Sequence, residues 1–186
     1  MNTALILIDV QESFRRRPDW VETQAQDFLA RTNALIAGCK ARGVSIVRIL
    51  HSDGPAVASN PFAIESGFVR PLADLAPHRA AAEFVKHRHS ALVGTGLMVW
   101  LHQNCIARLI VAGIRTEQCC ETTTRHASDE GFEVDFVTEA TLTFDMQHLD
   151  GSPLSAAALV ARTAAVLKDR FATICSVEQA LERTSV

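Results

Sequence analysis

Six short runs of apolar and β-branched residues recur along the chain, and most of them are apolar throughout instead of alternating with polar residues. A run without alternation is typical of a strand that is covered on both faces. We therefore predict six buried strands, at 4–10, 44–50, 82–86, 107–113, 132–138 and 171–176.

Stretches with helical periodicity lie between these runs. The stretch at 95–104 places Leu97 and Leu101 on one face, while two others end immediately before Gly43 and Gly131. Glycine directly after a helical stretch is a common stop signal. The predicted helices cover 21–42, 95–104, 117–130 and 155–170.

Strands that alternate with helices predict an α/β fold in which helices cover both faces of a sheet. We expect a single-domain three-layer sandwich over 1–186, built on a mostly parallel six-stranded sheet. The exception to the alternation is the segment 51–81, which is rich in Pro, Gly, Ser and Ala. A long segment with little periodicity is often a functional loop.

Composition narrows the class of protein. The formal net charge is −3, from 18 basic and 21 acidic residues, which gives no reason to expect a nucleic-acid or membrane partner. No apolar run approaches the ~20 residues of a membrane span, and the first strand follows the N-terminus without a signal-peptide pattern. The five cysteines are scattered and form no CxxC, which favours reduced thiols in the cytoplasm.

Reactive side chains follow three of the predicted strands. Asp9 ends the first strand, Lys86 ends the third, and Cys119 follows the fourth near the start of a helix. Ligands of open α/β sheets bind beyond the carboxyl ends of the strands, so these groups are expected at one rim. Each residue also has an ordinary structural role, as a turn residue, a solvated cation or a small core residue, but the coincidence of all three favours a site.

The chemistry of such a trio is coherent. A helix N-terminus and a nearby cation are expected to lower the pKa of the Cys119 thiol and to populate its thiolate. Asp9 can take the thiol proton and later return it to a leaving group, while Lys86 stabilises both anions. Backbone N–H groups in the turn before Cys119 can form an oxyanion hole. This is the logic of covalent acyl transfer.

Three segments carry a resemblance to a known family. They are "LILIDVQESF", "VKHRHSALVGTGL" and "GIRTEQCCETTTRHASDEGFEV". Their order and residues resemble those of the isochorismatase-like cysteine hydrolases, which include nicotinamidases, N-carbamoylsarcosine amidases and ureidoacrylate hydrolases. The resemblance runs from about residue 4 to 140.

The resemblance implies roles for particular residues. Asp9 matches the family's acid/base, Lys86 its catalytic lysine and Cys119 its nucleophile. It also implies a cis peptide between Ile114 and Arg115, which turns the backbone N–H groups of Arg115 and Cys119 towards the oxyanion.

The same alignment assigns different roles to the two adjacent cysteines. Cys120 falls where the family usually has valine, so we expect it to be a buried hydrophobe. Leu92 replaces the family's usual phenylalanine, a packing change outside the catalytic set.

The loop after the second strand departs from the metal-binding members of the family. Nicotinamidases carry a D-x-H motif there, whereas this chain has His51 and Asp53 in reversed order, with no further histidine before His78. The resemblance therefore implies no metal site and no cofactor, and nicotinamide becomes a less favoured substrate.

Further residues are candidates for the substrate pocket. Arg115 can face the substrate, reach solvent or contact a neighbouring subunit, since we expect a homo-oligomer. Aromatic residues in the loops can contact substrate or pack within a lid, and Glu65 can bind an amine or be solvated. The pocket candidates are Gln11, Phe14, Trp20, Phe62, Arg115 and Phe144.

The sequence thus predicts a metal-independent cysteine hydrolase that cleaves an amide, carbamoyl or ureido C–N bond of a small molecule through a thioester on Cys119. One alternative is vinyl-ether cleavage of an isochorismate-like substrate, although family members with that activity lack the cysteine. Another is a thiol-sensing binding protein, but a sensor does not need Asp9 and Lys86.

Overall fold

The computed structural model describes residues 2–185, so that Met1 and Val186 of the predicted 1–186 domain lie outside the described residues. Strands and helices alternate along the chain, as the hydrophobic pattern predicts. The strands are β1 (Thr3–Ile8), β2 (Ser45–His51), β3 (Ala82–Lys86), β4 (Arg108–Ile114), β5 (Glu133–Leu142), β6 (Met146–Gln147), β7 (Pro153–Leu154) and β8 (Thr173–Cys175). The α-helices are α1 (Glu12–Arg15), α2 (Glu22–Ala41), α3 (Leu97–Gln103), α4 (Glu121–Asp129), α5 (Ala156–Leu167) and α6 (Val177–Glu182).

Six strands form one sheet in the order β3-β2-β1-β4-β5-β8, and all five pairings are parallel. These are the six predicted strands, so the predicted architecture is confirmed; β3 has the predicted bounds, and the boundaries of the other five strands differ by one to four residues. The sheet is wholly parallel because every connection between neighbouring strands passes over a face of the sheet. Every residue of the central strand β1 is buried.

The two faces of the sheet pack against different helices. Along β1, Ala4, Ile6 and Ile8 belong to a core cluster that includes residues of α3, α4 and α5. Leu5 and Leu7 belong to a second cluster with residues of α2 and α6. Successive side chains of a strand point to opposite faces, so a strand that is apolar throughout supplies both cores. This arrangement is the three-layer sandwich that the sequence predicts.

The pattern did not reveal the short elements. Helices α1 and α6 were not predicted, and neither were the antiparallel pair β6–β7 and the π-helical turn Thr116–Cys120. Elements of two to six residues span too few positions for a helical or strand period to be recognised. The predicted helix 117–130 is in fact this π-turn followed by α4.

The segment between β2 and β3 has only one short 3-10 turn, Ile64–Ser66, within its length. It is nevertheless anchored to α1 and the residue before it. The backbone of Glu12 donates to the Arg70 carbonyl at 2.9 Å, and the Ser13 hydroxyl donates to the Phe68 carbonyl at 3.0 Å. These bonds hold the loop over the carboxyl end of β1.

Gly113 permits the close approach of β4 to β1. Its φ is +138°, and a Cβ built on it would lie 2.0 Å from the Ile8 carbonyl oxygen. The register of β4 against β5 also shifts between Val111 and Gly113. Any larger residue here would push apart the two strand ends that carry the reactive side chains.

Candidate active site

The three reactive side chains predicted at the strand ends lie within contact distance of one another. Lys86 Nζ lies 2.8 Å from Asp9 Oδ2 and donates to Cys119 Sγ at 3.2 Å. The lysine therefore bridges a carboxylate and a thiol that come from different strands. The parallel register explains the meeting, because β1, β3 and β4 all end at the same edge of the sheet.

Local backbone geometry presents each group to this edge. Asp9 has a positive φ of 56°, a left-handed conformation that few residues other than glycine adopt. Cys119 lies in the π-turn that follows β4, and such turns are frequent at functional sites. The peptide bond between Ile114 and Arg115, at the start of that turn, is cis.

The trio is almost completely removed from water. The exposed fraction is 0% for Asp9 and Lys86 and 6% for Cys119. Burial raises the pKa of Asp9, and the Lys86 ammonium, which acts in the opposite direction, offsets only part of that shift. Burial lowers the pKa of Lys86, but Asp9 and Cys119 raise it by more, so the net shift is upward and the lysine stays charged.

The expectation of a populated Cys119 thiolate is wrong for the structure. Burial, and then the negative charge of Asp9, raise the pKa of the Cys119 thiol to about 12, and Lys86 offsets only part of this. The sequence showed a cation and a helix start but not the depth of burial, which favours the neutral thiol. The resting site therefore pairs a protonated thiol with a base that can accept its proton.

The neighbouring Cys120 is fully buried, as expected from its alignment with valine. Burial raises its pKa well above the ordinary value for a thiol, and it packs in the core cluster below α4. Of the two adjacent cysteines, Cys119 alone lines the cavity described below.

His51 is a member of the site that the catalytic prediction did not include. Its Nδ1 lies 3.2 Å from Lys86 Nζ, and its Nε2 lies 3.9 Å from Asp53 Oδ2. Burial and then the positive charge of Lys86 lower the pKa of His51 to about 4. The imidazole is therefore neutral near pH 7, and its Nδ1 can accept a hydrogen bond from the lysine ammonium.

The same contacts bear on metal binding. Within residues 2–185, no group of three or more His, Cys, Asp or Glu side chains is arranged so that it could hold a metal ion. His51 has its Nδ1 directed at the lysine, and Asp53 is the only carboxylate near its Nε2 among the described residues. His51 and Asp53 therefore do not by themselves complete a set of three donors.

A cavity of about 300 Å³ opens beside the Cys119 sulfur. Two of the aromatic pocket candidates, Phe14 of α1 and Phe62 of the loop after β2, line it, and their rings meet edge to face at 5.1 Å. Arg115 also lines it. The remaining lining residues are Arg17, His51, Asp53, Gly54, Pro55, Asn60, His89, Gln118 and Cys119.

Three other pocket candidates lie outside the cavity lining. Gln11 is fully buried, and its amide exchanges two hydrogen bonds with the His51 backbone, at 2.7 and 2.8 Å. It therefore ties β1 to β2 and fixes His51. Phe144 stacks behind Phe14 at 6.3 Å, and Trp20 packs on Phe144 at 6.2 Å. These aromatic rings support the cavity wall from behind.

Glu65 is exposed and does not line the cavity; it borders an adjoining depression of the loop, which shares Asp53 and Gly54 with the cavity lining. The residues that sequence reasoning missed are His51 as a partner of the lysine, and Asn60, His89 and Gln118 as lining residues. The position of His51 at the end of β2 was the available signal, since β2 lies between the strands of Asp9 and Lys86.

Comparison with known proteins identifies the relatives of this chain. The family description "Isochorismatase domain" matches residues 3–179. YrdC of Bacillus subtilis (strain 168), an uncharacterized isochorismatase family protein, is 29% identical over 181 residues, which cover 95% of this chain and 92% of YrdC. Nicotinamidase 3 of Arabidopsis thaliana is 43% identical over 60 residues, which cover 32% of this chain and 30% of that enzyme.

Solved structures share the fold. A protein of the isochorismatase family from Chromobacterium violaceum ATCC 12472 superimposes with a TM-score of 0.87 at 26% identity, covering 99% of this chain and 94% of its own. Among residues 2–185, the helices are too short or too polar to cross a membrane. The family match spans nearly the whole chain, and we conclude that this protein belongs to the isochorismatase family of hydrolases.

Proposed function

We propose that the protein hydrolyses a C–N bond of a small amide, carbamoyl or ureido compound, with Cys119 as nucleophile. One observation carries the proposal: a single lysine nitrogen contacts both the Asp9 carboxylate and the Cys119 sulfur at the floor of a cavity. A nucleophile, a base and an orienting cation are the parts that covalent acyl transfer requires.

In the first half of the reaction, Asp9 removes the proton from Cys119 Sγ while the sulfur attacks the substrate carbonyl carbon. The proton must move during attack, because the raised pKa of Cys119 leaves little thiolate at rest. Lys86 balances the negative charge as it passes from Asp9 to the sulfur and the oxyanion. Asp9 then gives the proton to the departing nitrogen, the C–N bond breaks, and a thioester remains on Cys119.

In the second half, water attacks the thioester. Asp9 takes a proton from this water and returns it to the sulfur as the C–S bond breaks, which releases the acid and restores the thiol. The backbone N–H groups of Arg115 and Cys119 are the proposed oxyanion donors, since both residues border the cavity. His51 accepts a hydrogen bond from Lys86 at its unprotonated Nδ1 and so keeps the lysine directed at the other two groups.

The two alternative functions, thiol sensing and vinyl-ether hydrolysis, explain fewer features of the site. A thiol sensor requires an accessible cysteine with a low pKa, whereas Cys119 is 6% exposed and its pKa is raised. Vinyl-ether hydrolysis does not use a nucleophilic sulfur, so it leaves the contact between Lys86 and Cys119 without a role. The partial likeness to a nicotinamidase is consistent with cleavage of an amide bond.

An ammonia-release screen tests the proposal. Purified protein is incubated with amides, carbamoyl amines and ureido acids, with and without a chelator, and the Cys119→Ala variant is the control. We expect ammonia from at least one class, none from the variant, and equal rates with the chelator. A screen in which no C–N compound reacts, or in which Cys119→Ala reacts as the wild type does, refutes the proposal.

A further inference from the structure

His51 contacts the lysine of the site through one nitrogen of its ring. Three acceptors surround Lys86 Nζ, which carries three N–H groups. Asp9 Oδ2 lies at 2.8 Å, Cys119 Sγ at 3.2 Å and His51 Nδ1 at 3.2 Å. An ammonium group can only donate, so His51 Nδ1 is the acceptor of this contact. Because the pKa of His51 is lowered to about 4, the ring is neutral near pH 7 and carries its one proton on Nε2.

The N–H group at Nε2 has no acceptor among residues 2–185. Asp53 Oδ2 is 3.9 Å away, which is beyond hydrogen-bonding distance. The Asp53 side chain is 73% exposed, and its Oδ1 accepts from the Gly54 backbone at 2.7 Å. His51 lines the cavity, and its side chain is 15% exposed. The imidazole therefore presents one donor of known identity to a ligand.

The ring of His51 and its backbone are both held in place. The Gln11 side-chain amide exchanges two hydrogen bonds with the His51 backbone, at 2.7 and 2.8 Å. The Phe62 ring lies edge-on to the imidazole, with 6.2 Å between the ring centres. A donor that is already fixed loses little conformational entropy when a ligand binds.

His51 and Cys119 lie on opposite sides of Asp9 along the edge of the sheet. His51 ends β2 and Cys119 follows β4, and β1 lies between these strands. The cavity is lined by both residues. A substrate whose carbonyl lies at the sulfur can therefore place its other end at the imidazole.

Two other polar residues of the cavity are already bonded within the protein. The Asn60 amide donates to the carbonyls of Asp53 and Pro55, at 2.7 and 3.0 Å. The Arg17 guanidinium donates to both carboxylate oxygens of Asp19, at 2.8 and 3.0 Å. These groups shape the cavity wall, whereas the imidazole N–H is left for a ligand.

We propose that His51 donates its Nε2–H to a neutral acceptor oxygen at the end of the substrate remote from the scissile carbonyl. This inference rests on the proposed function and adds a substrate-binding residue to it. An ether, carbonyl or hydroxyl oxygen can accept this bond, whereas an ammonium group has no lone pair with which to do so. The Asp53 carboxylate, 3.9 Å from Nε2, makes an anionic acceptor less favourable.

Binding to a protein that does not turn over separates this inference from the reaction. The Cys119→Ala variant is titrated with two matched pairs of neutral amides, and binding is followed by NMR. Methoxyacetamide is compared with butyramide, and 3-methoxypropanamide is compared with pentanamide. In each pair an ether oxygen replaces one methylene group and adds an acceptor without adding charge. We expect at least one ether to bind about 2- to 10-fold more tightly than its partner, the usual net effect of one neutral hydrogen bond.

Two substitutions divide the roles of the ring nitrogens. In the Cys119→Ala background, His51→Asn keeps an acceptor near the position of Nδ1 but has no donor at Nε2, and it should reduce the affinity ratio of ether to hydrocarbon to about one. His51→Gln places an amide nitrogen near the position of Nε2 and should keep the ratio. Neither change removes the Gln11 bonds, which go to the backbone. His89 also lines the cavity, and the matched changes His89→Asn and His89→Gln should leave the ratio unchanged.

The position of the ring proton can also be observed directly. Long-range proton–nitrogen spectra of the Cys119→Ala protein, with its histidines labelled with nitrogen-15, should show His51 protonated at Nε2 and bare at Nδ1 at pH 7. The signals of this ring are assigned by their absence from the His51→Gln variant. The tighter-binding ether should shift the Nε2 resonance, and its hydrocarbon partner should not.

The inference is overturned if neither ether binds more tightly than its partner. It is also overturned if both His51 variants keep the preference, if both lose it, or if only His51→Gln loses it, since the donor at Nε2 then does not bind the ether. A proton on Nδ1 instead of Nε2 contradicts it independently. A preference that requires the Nε2 donor, in a protein that releases no ammonia from any amide, supports the inference and counts against the proposed reaction.

Discussion

Two clusters in this protein each contain a buried carboxylate, a cation and a buried thiol. Asp9, Lys86 and Cys119 meet at the carboxyl end of the sheet. Asp135 on β5 lies 2.8 Å from Arg183 Nε, and Cys175 lies on the neighbouring strand β8, two residues beyond the residue that pairs with Asp135. Both carboxylates are fully buried, and in both clusters burial raises the pKa of the cysteine, to about 12 for Cys119 and about 11 for Cys175.

The clusters differ in their cation and in their surroundings. The Asp135 cluster has an arginine, which holds its proton under all ordinary conditions and bonds the carboxylate in a fixed geometry. The Cys175 sulfur donates to the Thr173 carbonyl at 3.7 Å, and neither Cys175 nor Asp135 lines the cavity beside Cys119. In the Asp9 cluster, Lys86 contacts the sulfur itself, and a cavity reaches that sulfur.

A buried carboxylate and a buried thiol beside a cation are therefore not enough to predict catalysis. The Asp135 cluster joins the end of the chain to β5, which is a structural role. The Asp9 cluster has two further properties, a cation in contact with the nucleophile and space for a substrate. Substitutions at matched positions of the two clusters should separate these roles.

The largest expected difference is between the two cysteines. Cys119→Ala should abolish ammonia release, since no other group can form the thioester. Cys175→Ala should keep turnover within about twofold, because its sulfur is only a small buried group. Steady-state ammonia release from the best substrate of the screen measures both. Substantial activity in Cys119→Ala would remove the nucleophile from the proposal.

The next largest difference in activity should be between substitutions in the Asp9 cluster and at Asp135. Asp9→Asn and Lys86→Ala should each lower kcat/KM by ~100-fold or more, the usual contribution of a general acid–base group. Asp135→Asn should leave kcat/KM nearly unchanged but lower the urea midpoint of unfolding, because Arg183 loses a charged partner. A Lys86→Ala enzyme that turns over at the wild-type rate would exclude the lysine from the mechanism.

Alkylation rates test the raised pKa of Cys119. Only the thiolate reacts, so labelling by iodoacetamide should be slow at pH 7 and rise about tenfold per pH unit towards pH 9. Cys120 and Cys175 should stay unlabelled, whereas the exposed Cys105 should be labelled without loss of activity.

Peptide mapping by mass spectrometry, combined with residual activity, follows each site. Cys120→Val is the matched variant for the adjacent cysteine and should keep most of the activity, because the exchange approximately conserves volume. Rapid labelling of Cys119 at pH 7 with no dependence on pH would show that the resting thiol is already ionised.

The smallest expected effect concerns stability and pH. The pKa of His51 is lowered from 6.5 to about 4 on folding, so the unfolded chain binds a proton that the folded chain does not. The free energy of unfolding should therefore fall as the pH drops from about 6.5 to about 4. Urea unfolding across this range should show a shallower fall for His51→Gln than for the wild type, and equal slopes would contradict the lowered pKa.

The amino-acid sequence by itself determined the strand order along the chain, the two-faced burial of β1 and the position of Asp9, Lys86 and Cys119 at strand ends. These features follow from hydrophobic periodicity and from the family motifs, which are local properties of the chain. The parallel sheet then brings equivalent strand ends to one edge, so the approximate location of the site could be predicted before any distance was known.

Only the tertiary structure decided how those groups behave. The motif placed a cation near Cys119 and suggested a lowered pKa, but the pKa is raised because the folded chain removes the sulfur from water. His51 reaches Lys86 through a contact between residues that lie 35 positions apart in sequence, and Arg115 Nη2 is buried without a hydrogen-bond partner among residues 2–185. Desolvation and long-range contacts depend on every group packed around an atom, and no local pattern of residues contains that information.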